Sequence, residues 1–381
     1  MASPVLIFCS KSTWEPAIRR EHALARLAVR DGLETIFLER PLDIRHLRGG
    51  GLRRFVAGLR EDRTGVRTPE GVRIVPFAVP VPGHRSRASE AVAARLLRRR
   101  LRVLAGRGSV VVATTPWQWP ALDGLPADVR KAFDCADDWS ALIPRRRERI
   151  RALFRRIGAE ADALVLVSED LRHLFGDGAS VVVRNGVDAT FVRSEAPAQR
   201  GERRLAYTGT LSPRFDAPLV RALLERLEGW SLDLYGQAQY AGLGDRPDAE
   251  LGGLLDLGSH RVRWHGVVPR TGLGEVIDRA TVALLPNRPE LSAGQDAMKL
   301  YDYASRGVPI VTTPWSRRFG ELGPPHLYVG SDADALAEAV LKAATEPPER
   351  AAARRAWAAR QTWEERWPEW RRAVLGAPAA R

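Results

Sequence analysis

Short apolar runs separated by helix-length segments recur along almost the whole chain, and this alternation admits few folds. The first series comprises Val5–Cys9, Glu34–Leu38, Val72–Phe77, Ser109–Ala113, Arg130–Cys135, Ala163–Val167 and Ser180–Val183. Runs this short and this apolar read as buried strands, and a strand, helix, strand rhythm predicts βαβ units in a parallel sheet. A polar, aperiodic stretch at 194–204 interrupts it. The rhythm then restarts with Leu205–Tyr207, Leu232–Tyr235, Val262–Trp264, Val282–Leu285, Pro309–Thr312 and Leu327–Val329. A chain of 381 residues exceeds the size at which one hydrophobic core keeps growing. The expected class is therefore α/β, with two Rossmann-like parallel-sheet domains, 1–193 and 205–350, joined by the linker 194–204. Two such domains are expected to face each other across a cleft at the carboxyl ends of their strands, where open sheets bind ligands. The tail 351–381 carries Trp357, Trp363, Trp367 and Trp370 among arginines and glutamates. Those tryptophans demand burial, so the tail is expected to pack back across the domains.

The formal net charge is +13, which points to an anionic partner: nucleic acid, a membrane surface or a phosphate-bearing substrate. Two arginine-dense segments, from His84 and from Arg145, fit a peripheral contact with anionic lipid. The favoured reading is that each covers the sheet with one face and shows solvated arginines on the other. Cys9 and Cys135 stand apart, without the neighbours of a zinc site or a disulfide framework. A reducing, cytoplasmic location is expected. The N-terminal apolar run is too short for a signal peptide, and no stretch approaches the ~18–20 apolar residues of a membrane span.

The richest stretch is PNRPELSAGQDAMKLYDYASRGVPIVTTP, from Pro286 to Pro314. Ala297, Leu300, Tyr301 and Ala304 fall on one helical stripe, whereas Lys299, Asp302 and Arg306 share another face. Gly307 sits where a helix ends in a left-handed residue, and Val308–Thr312 reads as the next strand. Gly294 and Gln295 would lie against the helix N-terminus, where unpaired N–H groups attract phosphate. Lys299 would add a full charge there. It is one of only four lysines, with Lys11, Lys131 and Lys342, in a chain whose other basic positions are arginine. The plainer alternatives are a solvated helix lysine and, for Asp302, its i, i+3 surface partner.

A second glycine loop, Tyr207-Thr208-Gly209-Thr210-Leu211-Ser212-Pro213-Arg214-Phe215-Asp216, follows the first strand of the second domain. Gly209 lets backbone approach a phosphate, and Arg214 offers a planar fork of donors to a diphosphate. In the first domain, Phe133-Asp134-Cys135-Ala136-Asp137-Asp138-Trp139-Ser140 ends a strand with three acids. A metal site is one reading and a helix cap the other; no metal site is expected. Asp138 is a candidate for hydrogen-bonding a hydroxylated acceptor. His22 is either a base or part of a helix turn, and Trp14 and Trp117 either stack on a sugar or fill core, core being favoured.

With these residues in place the chain resembles the GT-B glycosyltransferases, of the retaining family 4 type. The resemblance rests on FDCADDW, ADALVLVSEDL, VVVRNGVD, LAYTGTLSPRFD, VRWHGVVP, ALLPN and MKLYDYASRGVPIVTTP, in that order. It implies a nucleotide-diphosphate sugar, UDP-sugar favoured, held by the second domain. A hydroxylated small-molecule or lipid-linked acceptor would sit on the first, and the helical tail 351–381 would cross back to pack on that N-terminal domain. By position, Arg214 and Lys299 would bind the diphosphate and act in catalysis, and Asp302 would hold the ribose hydroxyls. Gly209, Gly294 and Gln295 would belong to the same donor site. Asp302 stands where the family usually has Glu, Gly294 replaces the paired upstream Glu, and Phe215 takes the place of a second basic residue. The expected activity is retaining, metal-independent sugar transfer in natural-product or cell-surface glycan biosynthesis, with no cofactor. The alternatives are a catalytically inactive GT-B partner subunit and a basic nucleic-acid-binding protein. Arginines spread over most predicted helices, rather than gathered with aromatics along one groove, argue against the last, so no nucleic-acid partner is expected.

Overall fold

The computed structural model describes residues 5–15, 19–44, 52–59, 65–81, 86–195, 203–238, 247–316 and 318–376. Most of the expected linker, His84 and the last five residues of the tail lie outside them. The chain forms two compact units, Met1–Arg184 with Arg366–Arg381, and Asn185–Glu365.

In the first unit the elements run β1 (Leu6–Cys9), α1 (Arg20–Arg30), β2 (Thr35–Leu38), β3 (Leu42–Asp43), α2 (Leu52–Leu59), β4 (Val66–Arg67), β5 (Arg73–Val75), β6 (Ala78–Val79), α3 (Arg87–Leu104), β7 (Val110–Ala113), β8 (Arg130–Cys135), α4 (Trp139–Leu142), α5 (Arg147–Glu160), β9 (Ala163–Leu166) and β10 (Val181–Val182). One sheet has the order β10-β9-β8-β7-β1-β2-β5-β4, and β3 pairs with β6 apart from it. Only the edge strand β4 runs antiparallel, against β5. Every residue of β1, β2, β7 and β9 is buried, as a parallel strand covered on both faces requires. The arginine-dense helices behave as the favoured reading has it. α5 buries Ile150, Phe154 and Ile157, and α3 buries Ala93, Leu97, Leu101 and Leu104.

The second unit contains β11 (Arg204–Thr208), α6 (Ala217–Arg226), β12 (Ser231–Tyr235), α7 (Ala249–Leu255), β13 (Val262–Trp264), α8 (Arg270–Asp278), β14 (Val282–Leu285), α9 (Pro289–Ser292), α10 (Met298–Arg306), β15 (Ile310–Thr312), α11 (Phe319–Leu322), β16 (Leu327–Val329), α12 (Ala333–Ala344) and α13 (Pro348–Ala359). Its sheet is wholly parallel in the order β13-β12-β11-β14-β15-β16. This is the doubly wound arrangement, and its strand order reverses between β11 and β14.

The unit boundaries differ from those expected. Residues 185–193 belong to the second unit, because the backbone N–H of Asn185 donates to the Asp296 carboxylate and Arg193 pairs with Asp278. The tail also divides. In α13, Trp357 stacks on Tyr301 of α10, with ring centroids 5.4 Å apart, so this part of the tail packs on the second unit and not the first. The last helix, α14 (Trp363–Leu375), begins in the second unit and continues into the first. There Trp370 is fully buried and stacks on Phe8. Its Nε1 donates to Asp134, whose carboxylate also takes Arg20 Nε at 2.9 and 3.0 Å.

Candidate functional site

The turning point of the second sheet positions the loops after β11 and β14 side by side. Asp216 N donates to Pro286 O at 2.9 Å, Arg288 N donates to Arg214 O at 2.8 Å, and Phe215 bridges to Asn287. Arg214 sits in this seam, with Nε donating to Leu291 O at 3.0 Å. The second loop then leads through Gly294, at φ +74°, into α10. Gln295 accepts from the Asn287 amide at 3.0 Å. Asp296 anchors the start of the helix by accepting from Tyr301 Oη at 2.8 Å as well as from Asn185.

Gly209 and Lys299 meet. Gly209 has φ +132°, and a Cβ there would lie 2.1 Å from Lys299 Cε and 2.7 Å from Nζ. The ammonium also stands 5.1 Å from the centre of the Tyr207 ring, within the range of a cation–π attraction. Behind it a chain of glycines allows the strand ends to approach: Gly209 N donates to Tyr235 O, and Gly236 N to Gly266 O, each at 2.7 Å. A Cβ on Gly236 would fall 1.9 Å from Gly209 O. Tyr303 fixes the end of β11 from below, its hydroxyl accepting from Thr208 N at 2.8 Å. Burial pushes that phenol far above its ordinary range, so it stays protonated.

Asp302 is buried and turned toward α8, where Arg270 Nη1 donates to Oδ1 at 2.8 Å. Arg270 in turn lies 3.8 Å over the Phe191 ring. The face of α10 that carries Lys299, Asp302 and Arg306 is thus largely covered: Asp302 is buried, and Arg306 pairs with Asp278. The signals for what was missed are faint. Glycine closely follows three successive strands, at 209, 236 and 266, which marks the stacked turns, and a tyrosine off the apolar stripe, Tyr303, needed a polar partner. Nothing in the sequence ties Arg270 to Asp302.

In the first unit the three acids at the end of β8 and just beyond it each go to different partners. Asp134 takes Arg20 and Trp370, and Asp137 takes Lys11 Nζ at 2.8 Å. Asp138 caps α4, its Oδ1 accepting from Ser140 N at 2.8 Å and Ala141 N at 3.2 Å. Among the described residues no cluster of three or more His, Cys, Asp or Glu is placed to hold a metal ion. His22 is buried, with Nδ1 accepting from Arg19 N, which assigns its other nitrogen to donate to Thr13 O. Burial lowers its pKa, so it serves as a neutral helix-turn residue. Trp14 packs edge-on against Phe37, and Trp117 against Trp139. No described helix is long and apolar enough to cross a membrane.

Residues 202–346 match the family model described as glycosyl transferases group 1. No curated protein sequence matches the chain. Among solved structures, the chain resembles the sucrose-phosphate synthase of Thermosynechococcus elongatus with a TM-score of 0.74 at 14% identity, covering 97% of both chains. A trehalose-6-phosphate protein of E. coli bound with UDP-2-fluoro glucose aligns over 100% of both chains with a TM-score of 0.71 at 13% identity. The α,α-trehalose 6-phosphate synthase of Burkholderia multivorans also aligns over 100% of both, with a TM-score of 0.68 at 13% identity. The architecture is that of the GT-B glycosyltransferases. Within the second unit, residues 202–346 therefore match a glycosyltransferase domain.

Proposed function

We propose that the protein moves a sugar from a nucleoside diphosphate donor, a UDP-sugar in the first instance, to the hydroxyl of an acceptor, with retention and without a resident metal ion or cofactor. The observation that carries this reading is the pairing of Lys299 with Gly209 at the turning point of the second sheet, where doubly wound sheets bind nucleotides. In the reaction the anomeric C–O bond breaks toward an oxocarbenium-like state and the electron pair leaves on the diphosphate. Lys299, Arg214 and the amino end of α10 near Gly294 and Gln295 meet that growing charge with fixed donors. A departing phosphate oxygen takes the acceptor proton, so no strong side-chain base is required. Asp302, held by Arg270, is assigned to the ribose hydroxyls through its second carboxylate oxygen. Asp138, whose Oδ1 is committed to the helix cap, has Oδ2 for an acceptor hydroxyl.

The test is thermal unfolding with UDP, GDP and TDP, followed by assay of their sugars for release of nucleoside diphosphate with and without EDTA. A ligand at a hundred times its dissociation constant stabilises the native state by about 2.7 kcal/mol. One diphosphate should do so, and its sugar should turn over at a rate that EDTA changes by less than about twofold. Stabilisation by none of them overturns the reading; binding without turnover with any acceptor favours an inactive partner subunit.

A further inference from the structure

At the carboxyl ends of β7, β1, β2 and β5 the first unit has a small, open-mouthed pocket, with about 30 Å³ of space that the centre of a water-sized molecule can reach. Its walls include Cys9 and Leu38 at the ends of β1 and β2, Phe77 beyond β5, Trp117 beyond β7, and Ala94 and Leu97 from α3. Three polar residues also line it, and each is tied into the protein. Gln118 Oε1 accepts from Thr114 N at 2.9 Å and Thr115 N at 3.0 Å, while its Nε2 donates to Ser10 O. Ser10 Oγ donates to Glu21 and accepts from Ser12 N. The Glu39 carboxylate accepts from Trp14 N and from Arg54.

A sugar or sugar phosphate is recognised by several hydrogen bonds, and a phosphate by cationic or N–H donors. Among the described residues of its lining this pocket presents apolar walls, no lysine or arginine, and polar groups already engaged. Buried Cys9, whose thiol burial pushes up to about 12, adds one more uncharged surface. Its place at the carboxyl ends of parallel strands is where open α/β sheets take ligands.

We propose that this pocket receives the apolar end, aryl or short alkyl, of a hydroxylated acceptor, so that the enzyme glycosylates an amphipathic alcohol or phenol and not a sugar phosphate. The inference rests on the glycosyltransferase reading for the word acceptor, whereas the apolar binding stands on the pocket alone.

Calorimetric titration of the full chain with 1-naphthol, 1-hexanol and glucose 6-phosphate tests it, with UDP titrated separately. The expected result is binding of 1-naphthol or 1-hexanol, the tighter of the two distinguishing aryl from alkyl, and none of glucose 6-phosphate. Ala94→Phe should fill the pocket and weaken that binding at least tenfold while UDP affinity stays within about twofold. Trp117→Ala, which removes a half-buried wall, should weaken it in the same direction and serves if the first variant does not fold. Binding of glucose 6-phosphate alone, or apolar binding untouched in both variants, overturns the proposal. Failure of UDP to bind with apolar binding intact would instead sink the donor reading.

Discussion

Gly209 carries two separate demands. Its φ of +132° lies where residues with a Cβ are strained, and the space a Cβ needs is filled by Lys299. Gly209→Ala is expected to cost about 1–3 kcal/mol from the backbone alone, with more from displacing the lysine. Lys299→Ala removes that second part, so the double variant should lose less stability than the two single losses added together. Urea unfolding of the four proteins checks this, and strict additivity would separate the two residues. Toward ligand, Lys299→Ala loses a charge-assisted contact of about 1.5–3 kcal/mol, or roughly 10- to 150-fold in UDP affinity. Wild-type affinity in that variant would remove Lys299 from the donor site. Lysine scarcity singled out Lys299 in the sequence, and the structure sets its side chain against Gly209. The same reasoning did not reach Arg270, because an ion pair between two different helices leaves no mark in local spacing.

Among elements, the long parallel strands were legible because each is a continuous apolar run. The two-residue strands β3, β4 and β6 are too short to set up any periodicity and went unread. For α10 the apolar stripe is right, but the helix is buried on more than that side. Packing of α8 covers the polar positions Asp302 and Arg306, and α13 lays Trp357 over Tyr301, which local sequence cannot foresee. The clearest element-scale test concerns α14. Trp370 fills space over Phe8 and donates to the buried Asp134–Arg20 pair. Trp370→Ala should therefore destabilise the protein by about 3–5 kcal/mol. Trp370→Phe keeps an aromatic ring but loses the donor and part of the buried volume, so its loss should be smaller than that of the alanine variant. A drop under about 1 kcal/mol for the alanine variant in urea unfolding would show that α14 is peripheral to that core.

At the scale of the molecule, two compact units with separate apolar cores predict unfolding that is not two-state. Scanning calorimetry should give a measured enthalpy larger than the van't Hoff value, and saturating UDP should raise the transition of the second unit preferentially. One sharp transition with equal enthalpies would show the units unfolding as one. The two-domain division was legible from the restart of the strand rhythm after residue 204. Its boundaries were not, because they depend on which neighbours residues 185–193 and the two tail helices find.

The first unit is also discontinuous along the chain, and this bears on its synthesis. Strands β1 to β10 leave the ribosome first, but Trp370, which closes over Phe8 and completes the partners of Asp134, is made only after residues 185–365. At about 5–20 residues per second that interval is roughly ten to forty seconds. Through it the buried Arg20–Asp134 pair has no indole cover, so the unit that emerges ahead of the other is completed after it.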